Sequence, residues 1–269
     1  MSLVYACITP HGGEIIPELT GKNNLERMSV TRASMNVLGE RLAEARPEAL
    51  VIFTPHGTRI DGQFSVVNSE RMIGSFGENG RTYTMTREVD RHLALSLASE
   101  AERSGLPVGV LNYGTTEGPL SVMTLDWGAL VPLSFFPDLP IVVITPSRLL
   151  TNEQLMAFGK AVRHTIDQSD KRIGLIASCD WSHTHDANGP YGYHQSAKDV
   201  DLRCVELIKN GNLEGMEGFT PQEIDEAKPD GIWQTLMLAG AVRGEERQVD
   251  VLSYEAPTYF GLICAEVFS

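Results

Sequence analysis

Two segments repeat four residue types in one order, Thr9-Pro10-His11-Gly12 and Thr54-Pro55-His56-Gly57, each after an aliphatic run. A third histidine segment, Asp180-Trp181-Ser182-His183-Thr184-His185, follows another such run. Proline restricts the backbone before the first two imidazoles, and glycine behind them lets the chain turn and leaves room beside the ring. One histidine at a strand end reads as a hydrogen-bonded turn residue or as a ligand. The repeat and the third segment together favour the ligand. Neutral imidazoles suit iron, zinc, copper or nickel, and two of them with one carboxylate form a facial triad that leaves coordination positions open. His92 and His164 fall within helical patterns and read as surface residues.

The elements that must position these residues alternate. Leu3–Thr9, Ala49–Thr54, Val108–Asn112, Ile141–Thr145 and Ile173–Ser178 are short, nearly continuous apolar runs and read as buried strands. Amphipathic stretches at Thr31–Ala45, Arg87–Ser104, Thr151–Gln168 and Asp199–Asn210 read as helices, with Thr151 or Asn152 as a cap ahead of Gln154. Residues Gly62–Met85 alternate and carry several glycines, which predicts a hairpin excursion. Strand–helix alternation implies an α/β fold with a mostly parallel central sheet and helices on both faces. In such sheets ligands bind outside the carboxyl ends of the strands, where all three histidine segments fall. No composition break divides residues 1–269, so a single domain is expected.

The chain carries 22 Lys+Arg against 35 Asp+Glu, a net charge of −13, which argues against nucleic acid as a partner. No apolar run approaches the roughly 20 residues of a membrane span, and the start lacks the basic and apolar regions of a signal peptide. The four cysteines (Cys7, Cys179, Cys204, Cys264) form no CxxC pair and read as small core residues in a reducing cytoplasm.

Four motifs in order carry a resemblance: Thr9-Pro10-His11-Gly12-Gly13, Thr54-Pro55-His56-Gly57, Asp126-Trp127-Gly128-Ala129-Leu130-Val131-Pro132-Leu133, and Ser178-Cys179-Asp180-Trp181-Ser182-His183. The chain resembles the LigB-like superfamily, the catalytic-subunit fold of class III extradiol dioxygenases, from Val4 to about Ala241. That superfamily also includes DOPA dioxygenase-like and Memo-type proteins. The resemblance implies that His11 and His56 hold one metal from neighbouring strands and that His183 acts as acid–base catalyst.

Two departures stand out. The family's Asp-His-Gly is here Asp126-Trp127-Gly128, so Trp127 replaces a histidine that faces the substrate. The family's third ligand slot falls on Gly231, which has no side chain to offer; Asp230 is the first substitute and Glu226 the second. Asp230 reads equally as an N-cap for the helical run Ile232–Val242, and Glu255 as a third carboxylate, more readily hydrogen-bonded than ligating. The loop Thr184–Lys198 is rich in Tyr and His for a surface segment and reads as a cover over a pocket, with His185, Tyr193 and His194 as pocket groups.

The resemblance implies a non-haem Fe(II) extradiol dioxygenase that opens a catechol-type ring with O2. Its partners would be a small aromatic diol and O2, with a homo-oligomer compatible. The rivals are a zinc-dependent hydrolase on the same scaffold and a non-catalytic Memo-type metal-binding or regulatory protein.

Overall fold

The computed structural model describes residues 2–21, 24, 26–244 and 247–268. Its strands are β1 (Leu3–Thr9), β2 (Ala49–Phe53), β3 (Phe64–Val67), β4 (Arg71–Glu78), β5 (Arg81–Glu88), β6 (Val108–Leu111), β7 (Val122–Thr124), β8 (Ile141–Pro146), β9 (Ile173–Ser178), β10 (Gln248–Glu255) and β11 (Leu262–Phe268). The α-helices are α1 (Ser29–Ala45), α2 (Arg91–Arg103), α3 (Trp127–Leu133), α4 (Asn152–Asp167), α5 (Ser196–Lys209), α6 (Pro221–Ala227) and α7 (Ile232–Ala241).

The main sheet runs β10-β11-β1-β9-β2-β8-β3-β6, and its middle four strands, β1-β9-β2-β8, are mutually parallel. Antiparallel pairs join this block to β11 on one side and β3 on the other. Along each central strand successive residues enter opposite cores, as a period of two requires. Ala6, Ile8, Val51, Phe53, Leu175 and Ile144 pack with α2, α4 and α7 on one face. Tyr5, Cys7, Leu50, Ile52 and Ile176 pack with α1 and α3 on the other. The result is an α/β fold with helices on both faces. No described helix is long and apolar enough to cross a membrane.

The structure corrects three expectations. Phe64–Val67 is not part of the excursion but a strand of the main sheet; the hairpin is β4–β5, paired from Arg71↔Glu88 to Glu78↔Arg81. The helix expected from Arg87 starts at Arg91, because Asp90 caps it by accepting the Leu93 N–H while Arg87 and Glu88 finish β5. The strands leading to His11 and His56 are not neighbours: β9 lies between them. The predicted cap of α4 is present as a reciprocal Thr151–Gln154 box.

Helices α4 and α7 meet backbone to backbone. A Cβ at Gly159 would fall 1.9 Å from the Met237 carbonyl oxygen, and one at Gly240 would fall 2.0 Å from that of Met156. This close contact fixes α7, and with it the residues just before its first turn.

Candidate metal centre

Because β1, β9 and β2 run parallel and adjacent, their carboxyl ends place His11, the Asp180–His183 segment and His56 along one edge. The rings of His11 and His56 are 5.0 Å apart and nearly perpendicular. Gly57 follows at φ +92°, a conformation that suits glycine, and a Cβ there would lie 2.5 Å from Asp126 Oδ2.

Asp230 completes the group. Its Oδ2 lies 3.4 Å from His11 Nε2 and 3.5 Å from His56 Nε2. One ligand atom from each of His11, His56 and Asp230 lies within 4.8 Å of the others. The capping alternative for Asp230 is overturned. Gly231 is the N-cap of α7 and makes no side-chain cap bond, while Asp230 Oδ1 accepts the Asp180 N–H at 3.0 Å. Glu226 stands outside the group: its carboxylate accepts from Gln222 Nε2 and lies 3.8 Å from His194 Nδ1. Glu255 accepts from the Thr31 N–H and hydroxyl at the start of α1.

The tautomer of His11 follows from its partners. Ser178 Oγ donates its proton to the Gly128 carbonyl, so at 3.0 Å it accepts from His11 Nδ1. The lone pair then sits on Nε2, which is buried and makes no hydrogen bond, although Asp180 Oδ2 is 3.5 Å away. A lone pair facing two carboxylates is repulsive unless a proton or a cation lies between them. Burial pulls the His11 pKa down, but Asp180 and Asp230 outweigh it and raise the pKa to about 9. Burial would lift the Asp230 carboxyl, yet the pull of His11 and His56 holds it well below the usual carboxylate range. For Asp126 and Asp180 burial wins, and both carboxyls are pushed up against the attraction of His56 and His11. Two imidazoles and one carboxylate, with an unsatisfied nitrogen aimed at their centre, are a donor set that fits Fe(II) or Zn(II).

His183 is half-buried. Its Nδ1 is 2.8 Å from the Lys228 carbonyl, which can only accept, so Nδ1 carries the proton and Nε2 a lone pair. His183 lines two cavities that also share His56 and Tyr191. The first, about 610 Å³, is walled by Trp127, Phe76, Tyr259 and Phe260, with Glu14, Arg27 and Glu78 beyond them. The second, about 480 Å³, is bordered by Arg148, Lys228 and Asp230. Trp127 is 41% exposed and tilts against His56 at 4.3 Å between ring centres. It is therefore a cavity wall and not a core residue.

The loop after His183 borders the first cavity through Asp186, Asn188, Gly189, Pro190 and Tyr191. The three residues singled out from it lie elsewhere. His185 Nε2 pairs with buried Asp201 at 2.8 Å, Tyr193 is exposed, and His194 Nδ1 bonds Ser196 Oγ at the start of α5. The loop's short backbone bridge pairs His185 with Tyr193 and turns both from the cavity. Sequence reasoning missed Asp126, Asp180, Ser178 and Tyr191. Strand-end position was the available signal for Asp126 and Asp180. Ser178, which closes its strand, carried that signal too, and Tyr191 had only the composition of its loop.

A family model described as the catalytic LigB subunit of aromatic ring-opening dioxygenase matches residues 5–263. Protein CA_C1420 of Clostridium acetobutylicum is 26% identical over 276 residues; the alignment covers 100% of this chain and 58% of that protein, so the chain spans little more than half its length. The 2-aminophenol 1,6-dioxygenase beta subunit of a Pseudomonas species is 25% identical over 260 residues, covering 84% of this chain and 80% of that one. The crystal structure of the uncharacterized protein JW3007 from Escherichia coli K12 superposes with a TM-score of 0.60 at 16% identity, covering 98% of this chain and 99% of that one. That last likeness concerns the fold alone.

Proposed function

Since the chain belongs to the family of the catalytic LigB subunit of aromatic ring-opening dioxygenase, we propose that it is a non-haem Fe(II)-dependent extradiol dioxygenase acting on a catechol-type ring. The observation that carries this reading is the convergence of His11, His56 and Asp230 beside a cavity with aromatic walls. The overall chemistry adds both atoms of O2 across one ring bond next to the diol and yields a ring-opened semialdehyde acid.

His11, His56 and Asp230 would hold the ion, which supplies Lewis acidity toward the diol and a place for O2. The remaining work belongs to the chain. Trp127, Phe76 and Phe260 offer flat apolar faces that confine the ring and exclude water. His183, its Nδ1–H held by the Lys228 carbonyl, has Nε2 free to take the proton of one hydroxyl and later return it. Ser178 keeps His11 in the tautomer that aims Nε2 inward. A reducing cytoplasm suits both Fe(II) and the four free buried cysteines.

The test is oxygen uptake by protein reconstituted anaerobically with Fe(II) or with Zn(II), against a panel of catechols. Iron-dependent uptake with a yellow ring-opened product is expected. No uptake with iron bound at one per chain, or hydrolytic turnover with zinc, overturns the reading.

His183→Ala should keep one metal per chain while kcat falls about 10²- to 10⁴-fold, the usual worth of a positioned acid–base group. Loss of the metal instead would make His183 a ligand.

Trp127→His should shift preference toward catechols with a polar group at that wall by roughly three- to tenfold, the scale of one aromatic contact. The check is kcat/KM for substrate pairs with and without a carboxylate. An unchanged ratio in a folded variant removes Trp127 from substrate selection.

A further inference from the structure

His183 is bracketed by two anchors on one buried carboxylate. Asp201 lies in the second turn of α5, its side chain without exposed surface. Its Oδ1 accepts the backbone N–H of Ser182, one residue before His183, at 2.8 Å. Its Oδ2 accepts from the ring of His185, two residues after His183, at 2.8 Å, and from the Tyr254 hydroxyl on β10 at 3.1 Å. The ring cleavage proposed above gives none of these three side chains a task.

A carboxylate can only accept, so His185 Nε2 carries the proton and the tautomer of that ring is fixed. One donor on Oδ1 and two on Oδ2 replace the water that burial removes. The carboxylate has no room to turn away, because a Cβ at Gly261 would fall 1.9 Å from Oδ2. His185 is therefore drawn to one place by a partner that cannot move.

Backbone ties complete the bracket. The His183 N–H donates to the Ala227 carbonyl at 2.7 Å, and the N–H groups of Trp181 and His185 donate to the carbonyls of Gly261 and Tyr259 at 2.9 and 3.1 Å. Phe260 stacks on the His183 ring at 5.8 Å between centres, and Tyr191 meets it edge-on at 5.9 Å. Among these contacts Asp201 is the one side chain that grips both flanks of His183.

Resting on the ring-cleavage reading above, we infer that Asp201 and His185 are positioning residues for His183. Their bond sets where the Nε2 lone pair of His183 stands in the cavity, and neither residue touches the substrate. An acid–base group tolerates little error in its placement: a shift of about 1 Å costs on the order of 100-fold in rate.

Two measurements on His185→Leu and His185→Gln test this. The Gln amide nitrogen can donate from about where the imidazole Nε2 does, whereas Leu keeps bulk and donates nothing. With iron-loaded protein, His185→Leu should lower kcat for a catechol roughly 10- to 100-fold. It should keep one metal per chain and move KM less than about threefold, and His185→Gln should recover most of the lost kcat. In a His183→Ala background the same Leu change should alter kcat less than about twofold, because its effect passes through His183. The second measurement is hydrogen exchange of the metal-free protein, read by mass spectrometry. Amides of residues 181–185 should exchange at least about tenfold faster in His185→Leu, with β1 and β9 unchanged, and Gln should restore their protection. Equal kcat in wild type and His185→Leu, an undiminished Leu effect in the absence of His183, unchanged exchange, or faster exchange shared by β1 and β9 overturns the positioning role. Faster local exchange with no oxygen uptake on any diol leaves the hold on His183 standing and overturns the dioxygenase reading. Oxygen uptake with no dependence on His185 does the reverse.

Discussion

His56→Ala should reduce bound metal from about one per chain to less than one in ten and bring oxygen uptake to background. Its side chain is 25% exposed and, apart from approaching Asp230, makes no hydrogen bond that holds the fold together. Removing the imbedded partner, His11, would be a poorer test. That residue is 1% exposed, and its loss would hollow the interior and take from buried Asp180 the imidazole beside it, leaving Asp230 with His56 alone. With His56 gone, Asp230 and His11 still face each other, so the thermal midpoint of the metal-free protein should move little. Metal analysis after anaerobic loading, with a melting curve of the same sample, is the measurement. Retention of stoichiometric metal in a folded His56→Ala variant removes His56 from the ligand set and reopens the choice among Asp126, Asp180 and Asp230.

Arg247→Met should destabilise the chain by about 3 kcal/mol, since each buried acceptor left unpaired costs roughly 1–3 kcal/mol. The Arg247 side chain is fully buried and donates to the carbonyls of Gly211, Ala239 and Val242 as well as to both carboxylate oxygens of Glu214. Methionine keeps the length and apolar stem but satisfies none of these acceptors. For a chain of this size the loss corresponds to a fall in midpoint of roughly 6–12 °C. The pH dependence has a definite sign. Burial pushes the Glu214 carboxyl up, but Arg247 outweighs this and its pKa is lowered. The pair therefore adds stability above the ordinary carboxylate pKa, and that part is lost as pH falls through the depressed value. Wild type and Arg247→Met should differ least in acid. An equal difference at pH 7 and in acid would mean that the carbonyl bonds, not Glu214, carry the effect; no difference at pH 7 would overturn it.

Much of the fold was legible because it rests on local pattern. The apolar runs at Leu3–Thr9 and Ile173–Ser178 are strands with those same bounds, since a strand buried on both faces must be apolar throughout. The Thr151–Gln154 box was equally readable, being complete within four residues. Residues 81–88 were harder, because Arg87 and Glu88 fit a helix as well as a strand until Asp90 caps the next element.

The candidate site divides the same way. Pro-His-Gly at two strand ends marked His11 and His56, because the demand for a sharp exit is written beside the histidine itself. Which carboxylate joins them was not decided locally. Asp230 and Glu226 are four residues apart, and only the packing of α7 on α4 through Gly159 and Gly240 brings Asp230 under both rings. The aromatic loop misled for a related reason. Composition marked it as unusual, but buried Asp201 draws His185 inward, and the turn that follows sends Tyr191, not Tyr193, to the cavity. Sequence by itself determined the elements, the sheet type and the two histidines, because these depend on side-chain period and on neighbours in the chain. Tertiary structure decided between Asp230, the sequence's first choice, and Glu226, and it alone set the tautomer of His11 and the two-sided cavity, because each depends on groups more than forty residues apart meeting in space.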